Sequence, residues 1–235
     1  MKNKEQCPLQ LKACRECDDF IMTINGGRVI YKTLGCKHQQ VRNLMIKKSG
    51  MFGKDVHERF DVAKMDKHNY KLYQYLQNEW DRRKWLYLFS YENGTGKSFT
   101  ANAIANMLID KGIQPLVIRE IDIATKIQAT FGDYTGAIEA DVSMKYKAVP
   151  VLIIQDFGKQ NCRSEWWPQK IFDIIDYRGI QQRTTIFTSN LDLTNKNLLI
   201  NKFGDNHGAA IQSRLLGECE IWELGGPDRR IRFDC

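Results

Sequence analysis

Two hydrophobic patterns alternate along the last two thirds of the chain. Short, almost continuously apolar runs predict buried β-strands at residues 86–89, 115–119, 149–154 and 184–188. Longer segments with apolar residues three and four positions apart predict helices at residues 97–111, 122–131 and 167–178. Apolar strands separated by helices are typical of a parallel sheet covered on both faces, so we predict an α/β fold. Two short β-like segments, at residues 220–224 and 230–233, follow.

The first third of the chain has a different pattern. Strand-like residues 20–24 and 28–31 flank Asn25-Gly26-Gly27, which predicts a hairpin with a glycine turn. Basic helical stretches follow at residues 39–50 and 68–84, and the second carries an aromatic stripe that we expect to pack on the α/β core. We therefore divide the chain into an N-terminal module (1–50), a helical linker (51–84) and an α/β domain (85–235).

Cysteines bracket the predicted hairpin. Cys14-x₂-Cys17 precedes it, and Cys36-x-His38 follows it, so two ligand pairs at its base could close a tetrahedral Zn²⁺ site. So small a module needs such a clamp in order to fold. Cys7 could compete as the fourth ligand, and unligated thiols are the alternative. The chain has seven cysteines, an odd number that argues against a complete disulfide framework.

The net charge of +7 is unevenly spread. Residues 1–84 hold 18 Lys and Arg against 10 Asp and Glu, so this third carries a net +8. Such a surface suits a polyanion such as nucleic acid, although a basic surface also serves solubility. No run approaches the roughly 18 apolar residues of a membrane span, and no apolar signal core follows the N-terminus. We expect a cytoplasmic protein without a membrane partner.

A glycine-rich turn lies between the first predicted strand of the α/β part and its first helix. Strand, glycine-rich turn, Gly-Lys-Ser and helix form a P-loop, which surrounds nucleotide phosphates with backbone N–H groups. Lys97 would reach the β- and γ-phosphates of ATP, and the Ser98 hydroxyl would bind Mg²⁺. Tyr91 stands where the motif has its first glycine. The predicted nucleotide-binding residues of this loop are Asn93, Gly94, Thr95, Gly96, Lys97 and Ser98.

A second apolar run should bring carboxylates to the same site. It ends in Gln155-Asp156-Phe157-Gly158, where two acidic residues are expected and only Asp156 is acidic. Gln155 then occupies the position that orients the metal; in another register Asp156 itself would serve the metal. Because a neutral amide adds no charge opposite Mg²⁺, we expect ATP to bind and hydrolysis to be slow.

Two further polar residues are candidates for the reaction. Asn190 ends the predicted strand Thr185-Ile-Phe-Thr-Ser-Asn190 and could orient the attacking water, or could simply open the next turn. Arg214, in the helical segment Ile211–Leu215, could stabilise the charge of a transferred phosphate in a neighbouring subunit, although most single arginines are surface residues.

These motifs together resemble the bacterial and phage replicative-helicase loaders of the DnaC/DnaI type, a branch of the AAA+ ATPases. The resemblance covers most of the chain and is most specific in the Thr-Ile-Phe-Thr-Ser-Asn and Ser-Arg-Leu elements. It is carried by Cys14-Arg-Glu-Cys17, Cys36-Lys-His38, Gly94-Thr-Gly-Lys-Ser98, Asp156-Phe-Gly158, Thr185-Ile-Phe-Thr-Ser-Asn190, Ser213-Arg-Leu215 and Gly226-Pro-Asp-Arg-Arg230.

The resemblance implies roles for single residues. Asp156 would be the catalytic carboxylate of the Walker B motif, Asn190 sensor I and Arg214 the arginine finger. Arg178 matches a basic position of the family, and Arg230 matches its C-terminal arginine. The departures from the family pattern are Tyr91 for Gly, Gln155 for Asp and His38 for Cys.

The resemblance also implies partners. The zinc module would engage the hexameric replicative helicase, and the AAA+ domain (85–235) would bind single-stranded DNA and self-associate with ATP bound. Phe131 and Tyr134 are candidate DNA contacts, although packing or a plain surface turn explains each as well. A transposition-helper ATPase acting on duplex DNA and a weakly hydrolysing helicase-binding adaptor or inhibitor are the alternative functions.

Overall fold

An antiparallel hairpin comes first in the computed structural model. It joins β1 (Phe20–Asn25) and β2 (Arg28–Thr33) with Phe20 opposite Thr33, which confirms the predicted hairpin. The structure describes residues 20–25, 28–33, 37–63, 65–132, 138–160 and 165–230, with side chains from residue 39 onward except at residue 196.

A five-stranded sheet forms the centre of the α/β part. Its spatial order is β4-β5-β6-β3-β7, and every neighbouring pair is parallel, as predicted. Each connection between neighbouring parallel strands must cross over the sheet, and helices make these crossovers. The strands are β3 (Trp85–Phe89), β4 (Pro115–Arg119), β5 (Val151–Phe157), β6 (Thr184–Ser189) and β7 (Cys219–Glu223).

Eight helices accompany the strands in the described part of the chain. None of them is long and apolar enough to cross a membrane. They are α1 (Lys37–Lys48), α2 (Tyr70–Asn78), α3 (Lys97–Asp110), α4 (Glu120–Gln128), α5 (Glu139–Ala148), α6 (Trp166–Ile180), α7 (Lys196–Phe203) and α8 (Asp205–Glu218).

Alternate strand residues build a core on each face of the sheet. On β3, Trp85 and Tyr87 join the core with α4, α6 and α8, whereas Leu86 and Leu88 join the core with α2 and α3. This division follows from the two-residue period of a strand. Because both faces are covered, β3 and β6 are buried along their whole length, which explains the continuous apolar sequence of β3.

The linker segment packs against α3. Tyr73 and Leu76 of α2 are buried, and the Tyr73 ring meets the edge of Phe60 at 5.1 Å between centroids. The Tyr73 hydroxyl lies 3.2 Å from the Thr100 Oγ1 of α3. The expected packing of the aromatic stripe is thus confirmed, although the helix is shorter than predicted.

Several element boundaries differ from the sequence predictions. Strand β5 ends at Phe157 instead of Ile154. Its last residues are held by neighbouring strands, because Gln155 pairs with Arg119 of β4 and Phe157 pairs with Ser189 of β6. Helix α4 begins at Glu120, two residues earlier than predicted, and ends at Gln128. Helices α5 and α7 were not predicted; in α5 the apolar residues alternate with polar ones, a spacing that does not indicate a helix. The predicted strand at 230–233 lies outside the described residues after Arg230.

Arg178 has a structural position. It is fully buried in α6, and its guanidinium donates to the Thr185 hydroxyl (2.9 Å) and to the backbone carbonyls of Tyr146 and Val149 (2.8 Å each), with further bonds to Lys147 and Thr184. Burial lowers the pKa of Arg178 to about 9, so the side chain remains a cation at neutral pH. It thereby joins the end of α5 to the beginnings of β5 and β6.

We expect Arg178→Met to destabilise the fold by about 3 kcal/mol or more, because several buried carbonyl oxygens lose their donor. Urea denaturation followed by circular dichroism measures the loss. Arg83→Met is the matched control, because the Arg83 side chain is 86% exposed and pairs with nearby, partly exposed Asp81. Equal stability of the Arg178 variant and the control would contradict the structural role.

Candidate nucleotide-binding site

The carboxyl ends of three adjacent strands meet at one edge of the sheet. The P-loop follows β3, Asp156 lies near the end of β5, and Asn190 follows β6, which lies between the other two. Ligands of open parallel sheets bind at this edge. The topology therefore brings together the three motifs that the sequence singled out.

The P-loop has the backbone that its glycines permit. Gly94 and Gly96 have φ values of 74° and 99°, in the left-handed region that favours glycine. A Cβ on Gly94 would come within 1.8 Å of the Asp228 carboxylate, so Asp228 would have to move to admit a larger residue there. Tyr91, at the motif's first glycine position, has a negative φ and directs its hydroxyl to Asp192 at 2.8 Å. The aromatic residue is therefore accommodated without strain.

Lys97 begins α3 and turns back into the loop. Its Nζ donates to the carbonyls of Glu92 at 2.8 Å and Ser90 at 3.3 Å, and the residue is 8% exposed. Burial, together with the nearby charges of Lys159 and Arg230, lowers the pKa of Lys97. These cations repel one another, so an anion in the cavity would relieve the repulsion.

A β-bulge directs Asp156. Between the pairs Ile154–Phe187 and Phe157–Ser189, two residues of β5 face one residue of β6. Asp156 has a φ of 56° at this bulge, and its backbone N–H donates to the Thr188 hydroxyl at 3.1 Å. The bulge also brings Phe157 back to the face that Ile154 occupies. Asp156 consequently lines the cavity, with its carboxylate 2.8 Å from Lys159 Nζ.

Glu120 holds the loop after Asp156. This carboxylate is fully buried and accepts from the Gly158 N–H (2.6 Å), the Gln160 N–H (3.3 Å) and the Trp167 indole (2.8 Å). Burial raises the pKa of Glu120, and the three N–H donors oppose that rise. Sequence reasoning missed Glu120 because a glutamate at a helix start is common.

Asn190 braces the P-loop from the next strand. Its Nδ2 donates to the Ser90 carbonyl at 2.9 Å and reaches the Tyr91 carbonyl at 3.3 Å. Among the described residues, its buried Oδ1 has no hydrogen-bond partner. A buried acceptor beside the cavity is suited to a water or a ligand donor.

These residues surround a cavity of about 230 Å³. Its lining is strongly basic. This charge, the close backbone approach at Gly94 and the unpaired Asn190 Oδ1 together fit a nucleoside triphosphate. Within the described residues, no three His, Cys, Asp or Glu side chains converge as a metal site. The lining comprises Lys54, Glu58, Asn93, Gly94, Gly96, Lys97, Ser98, Phe99, Asp156, Lys159, Asn190, Arg229 and Arg230.

Other predicted site residues lie elsewhere. Thr95 is a buried residue within the P-loop. Gln155 turns toward α3, where its Nε2 donates to Asn102 Oδ1 at 2.9 Å. Arg214 lies on α8 and forms an ion pair with Asp176, outside the cavity lining. This position is compatible with action on another subunit and shows no contact with the P-loop of its own chain.

The predicted zinc ligands Cys14, Cys17 and Cys36 lie outside the described residues, as does the alternative ligand Cys7. His38 lies near the start of α1, where only the backbone is described. Tyr134, a candidate DNA contact, also lies outside the described part. Phe131 is 53% exposed and meets the edge of the Trp166 ring.

Several cavity residues were missed by sequence reasoning. Lys159 lies one turn after Asp156, and Arg229 lies beside Arg230, so both had a local signal. Arg229 also binds the Thr95 carbonyl at 3.2 Å and Asp66 at 2.8 Å, which brings the C-terminal segment over the P-loop. Lys54 and Glu58 come from the linker and carry no motif.

The sheet order and the P-loop define a P-loop domain of the AAA+ class. Residues 41–234 match the model of the family of IstB-like ATP binding proteins, and the chain belongs to this family.

Curated relatives are replicative helicase loaders. The chain is 28% identical over 158 residues to DnaI of Bacillus subtilis (strain 168), with 65% of this chain and 50% of DnaI covered. It is 32% identical over 114 residues to DnaC of Buchnera aphidicola subsp. Baizongia pistaciae, with 48% of this chain and 46% of that protein covered. The chain spans about half the length of the curated relatives it matches.

Solved structures share the fold. The crystal structure of DnaI superposes with a TM-score of 0.60 at 22% identity, covering 74% of this chain and 95% of the chain in that crystal structure. The crystal structure of the DnaC helicase loader also gives 0.60, at 18% identity, covering 74% of this chain and all of that one.

We expect Glu120→Gln to destabilise the protein by about 1–3 kcal/mol, because an amide cannot accept from all three N–H donors. Thermal unfolding measures the change. Glu139→Gln is the control, since Glu139 has one partially exposed partner, Lys170, and should lose no more than about 1 kcal/mol. A Glu120 variant as stable as the control would show that the loop does not depend on this carboxylate.

Proposed function

We propose that this protein is an ATP-dependent loader that places the replicative DNA helicase on single-stranded DNA at the initiation of replication. The observation that carries the proposal is the basic cavity at the carboxyl edge of the sheet, formed by the P-loop, Asp156 and Asn190. The likeness to helicase loaders in sequence supports it.

The cavity residues have distinct roles in this proposal. Lys97 and the P-loop N–H groups bind the β- and γ-phosphates of ATP, and the Ser98 hydroxyl is an oxygen ligand for Mg²⁺. Asp156 orients the attacking water and accepts its proton on a carboxylate oxygen, and Asn190 holds that water. ATP binds together with Mg²⁺, and cleavage of its terminal phosphate bond would convert the loader from the ATP-bound state to the ADP-bound state.

Turnover by the isolated chain is slow in this proposal. Gln155 adds no negative charge at the end of β5, and Arg214 lies away from the cavity of its own chain. An ATP-dependent homo-oligomer would place Arg214 of one subunit at the site of the next, where a guanidinium stabilises phosphate charge.

Different parts of the chain contact the two partners in this proposal. We assign the zinc-bound module (1–50) to the helicase, the linker (51–84) to the connection, and the ATPase domain (85–235) to single-stranded DNA. Basic side chains would follow the phosphates, while exposed aromatic residues such as Phe131 would stack on bases.

A transposition-helper ATPase is the second candidate. It is favoured by the match to the IstB-like family over residues 41–234. Pull-down with purified replicative helicase and with transposase separates the two functions, because a loader retains the helicase and a transposition helper retains the transposase.

We expect Lys97→Ala to weaken ATP binding by roughly 10- to 100-fold, because a charged hydrogen bond to phosphate is lost. Helicase pull-down should be unchanged, while helicase loading on single-stranded DNA and the ATP turnover measured with both partners should fall. Lys111→Ala, at the exposed far end of α3, is the control. Loss of ATP binding and helicase binding together would contradict the division into modules, and absence of ATP turnover by the unaltered protein with helicase and single-stranded DNA both present would indicate an adaptor.

We expect about one zinc per chain, held by Cys14, Cys17, Cys36 and His38. Metal analysis of the purified protein measures it, and Cys14→Ser should lose both the zinc and the helicase contact while retaining ATP binding. Cys219→Ser is the matched control, because Cys219 lies in β7, in the ATPase domain. A metal-free protein that still binds the helicase would refute the clamp.

A further inference from the structure

The end of β5 directs an uncharged side chain at α3. Residues 151 and 153 of β5 face α3, so Gln155 faces it as well, two residues further along. Its amide meets Asn102 at 2.9 Å. Ser98 lies one turn before Asn102 on the same side of the helix. The side of the cavity that contains the proposed Mg²⁺ ligand Ser98 therefore receives no charge from β5 at position 155.

Asn102 connects this position to a carboxylate from the linker. Its Oδ1 accepts from Gln155, and its Nδ2 donates to Glu58 Oε2 at 2.8 Å. Asn102 is 2% exposed, so both bonds are inside the protein. The three side chains form one hydrogen-bonded row, and its acidic member is at the linker end instead of the strand end.

The backbone of Glu58 is fixed on α3. Asn106 Nδ2 donates to the Glu58 carbonyl at 2.9 Å and to the Asp55 carbonyl at 3.3 Å. The next residue, Arg59, pairs with Asp110 at 2.6 Å. Asn102, Asn106 and Asp110 are four residues apart, so one polar stripe of α3 holds this part of the linker.

The Glu58 carboxylate reaches the cavity. It is 16% exposed and lines the cavity together with Ser98. Its ion pair is with Lys54, whose Nζ is 3.9 Å away and whose side chain is 85% exposed, so this pair neutralises it weakly. A hard carboxylate oxygen in the cavity that Ser98 also lines suits Mg²⁺, which proteins bind through one or two carboxylates and water.

We propose that Glu58 supplies the Mg²⁺-directed carboxylate that the sheet lacks at Gln155, contacting the metal directly or through a bound water. This inference rests on the proposed binding of Mg²⁺ and ATP. It makes the linker a part of the nucleotide site, so that Mg²⁺-nucleotide fixes the segment that leads to the N-terminal module.

The test is Glu58→Gln, which keeps the shape and can still accept from Asn102. Binding of a fluorescent ATP analogue to the full chain is titrated with Mg²⁺ and, separately, in EDTA. We expect the variant to need roughly 10-fold more Mg²⁺ for half-maximal enhancement of binding, while its affinity in EDTA stays within about 2-fold of the unaltered protein. Glu79→Gln, an exposed glutamate of the same linker, should behave like the unaltered protein.

The double variant Glu58→Gln/Gln155→Glu exchanges the carboxylate and amide ends of the hydrogen-bonded row. Rotation of the Asn102 amide by half a turn would let it donate to Glu at 155 and accept from Gln at 58. We expect this variant to recover most of the Mg²⁺ dependence, and failure to recover it would overturn the link to position 155.

Two results for Glu58→Gln would also overturn the inference: an unchanged Mg²⁺ dependence, or an equal loss of affinity in Mg²⁺ and in EDTA. Absence of nucleotide binding by the unaltered protein would instead remove the proposed function and this inference with it.

Discussion

The parallel pairing of β3, β6 and β5 is the constraint on which the rest of the site depends. Hydrogen bonds between these strands fix their carboxyl ends at one edge of the sheet, so residues about 100 positions apart along the chain become neighbours. The contact between Asn190 and the Ser90 carbonyl is a direct result. Covering helices keep water from the strands, which makes the pairing strong enough to hold a loop of left-handed glycines in place.

The same pairing requires one local exception. In a regular strand, Asp156 would face the core that holds Ile154 and Phe187, where a carboxylate is costly. The bulge avoids this, because it directs Asp156 to the cavity and returns Phe157 to the core. The positive φ of Asp156 is the cost of this geometry, and the bonds to Thr188 and Glu120 on either side stabilise it.

Local patterns were sufficient to predict the parallel sheet and the strand–turn–helix arrangement of the P-loop, because burial on both faces leaves a continuous apolar signal in β3. Contacts that cross between elements were not predictable. Arg178 matched a basic position of a family, yet the structure shows that it joins α5, β5 and β6 through buried carbonyls. Glu58 and Glu120 had no pattern of their own, since their partners, Asn102, Gly158 and Trp167, are about 40 residues away or more.

An acidic group of the cavity, Glu58, connects the linker to the proposed nucleotide site. Basic groups dominate the lining. The acidic groups among the described lining residues are Asp156, which pairs with Lys159, and Glu58. A strand-end carboxylate would belong to the rigid sheet, whereas Glu58 belongs to a segment held on α3 by side-chain hydrogen bonds. A metal that draws on Glu58 therefore stabilises the position of the linker. Loss of the metal with the nucleotide weakens that hold, which gives the ATPase domain a physical means of acting on the N-terminal module.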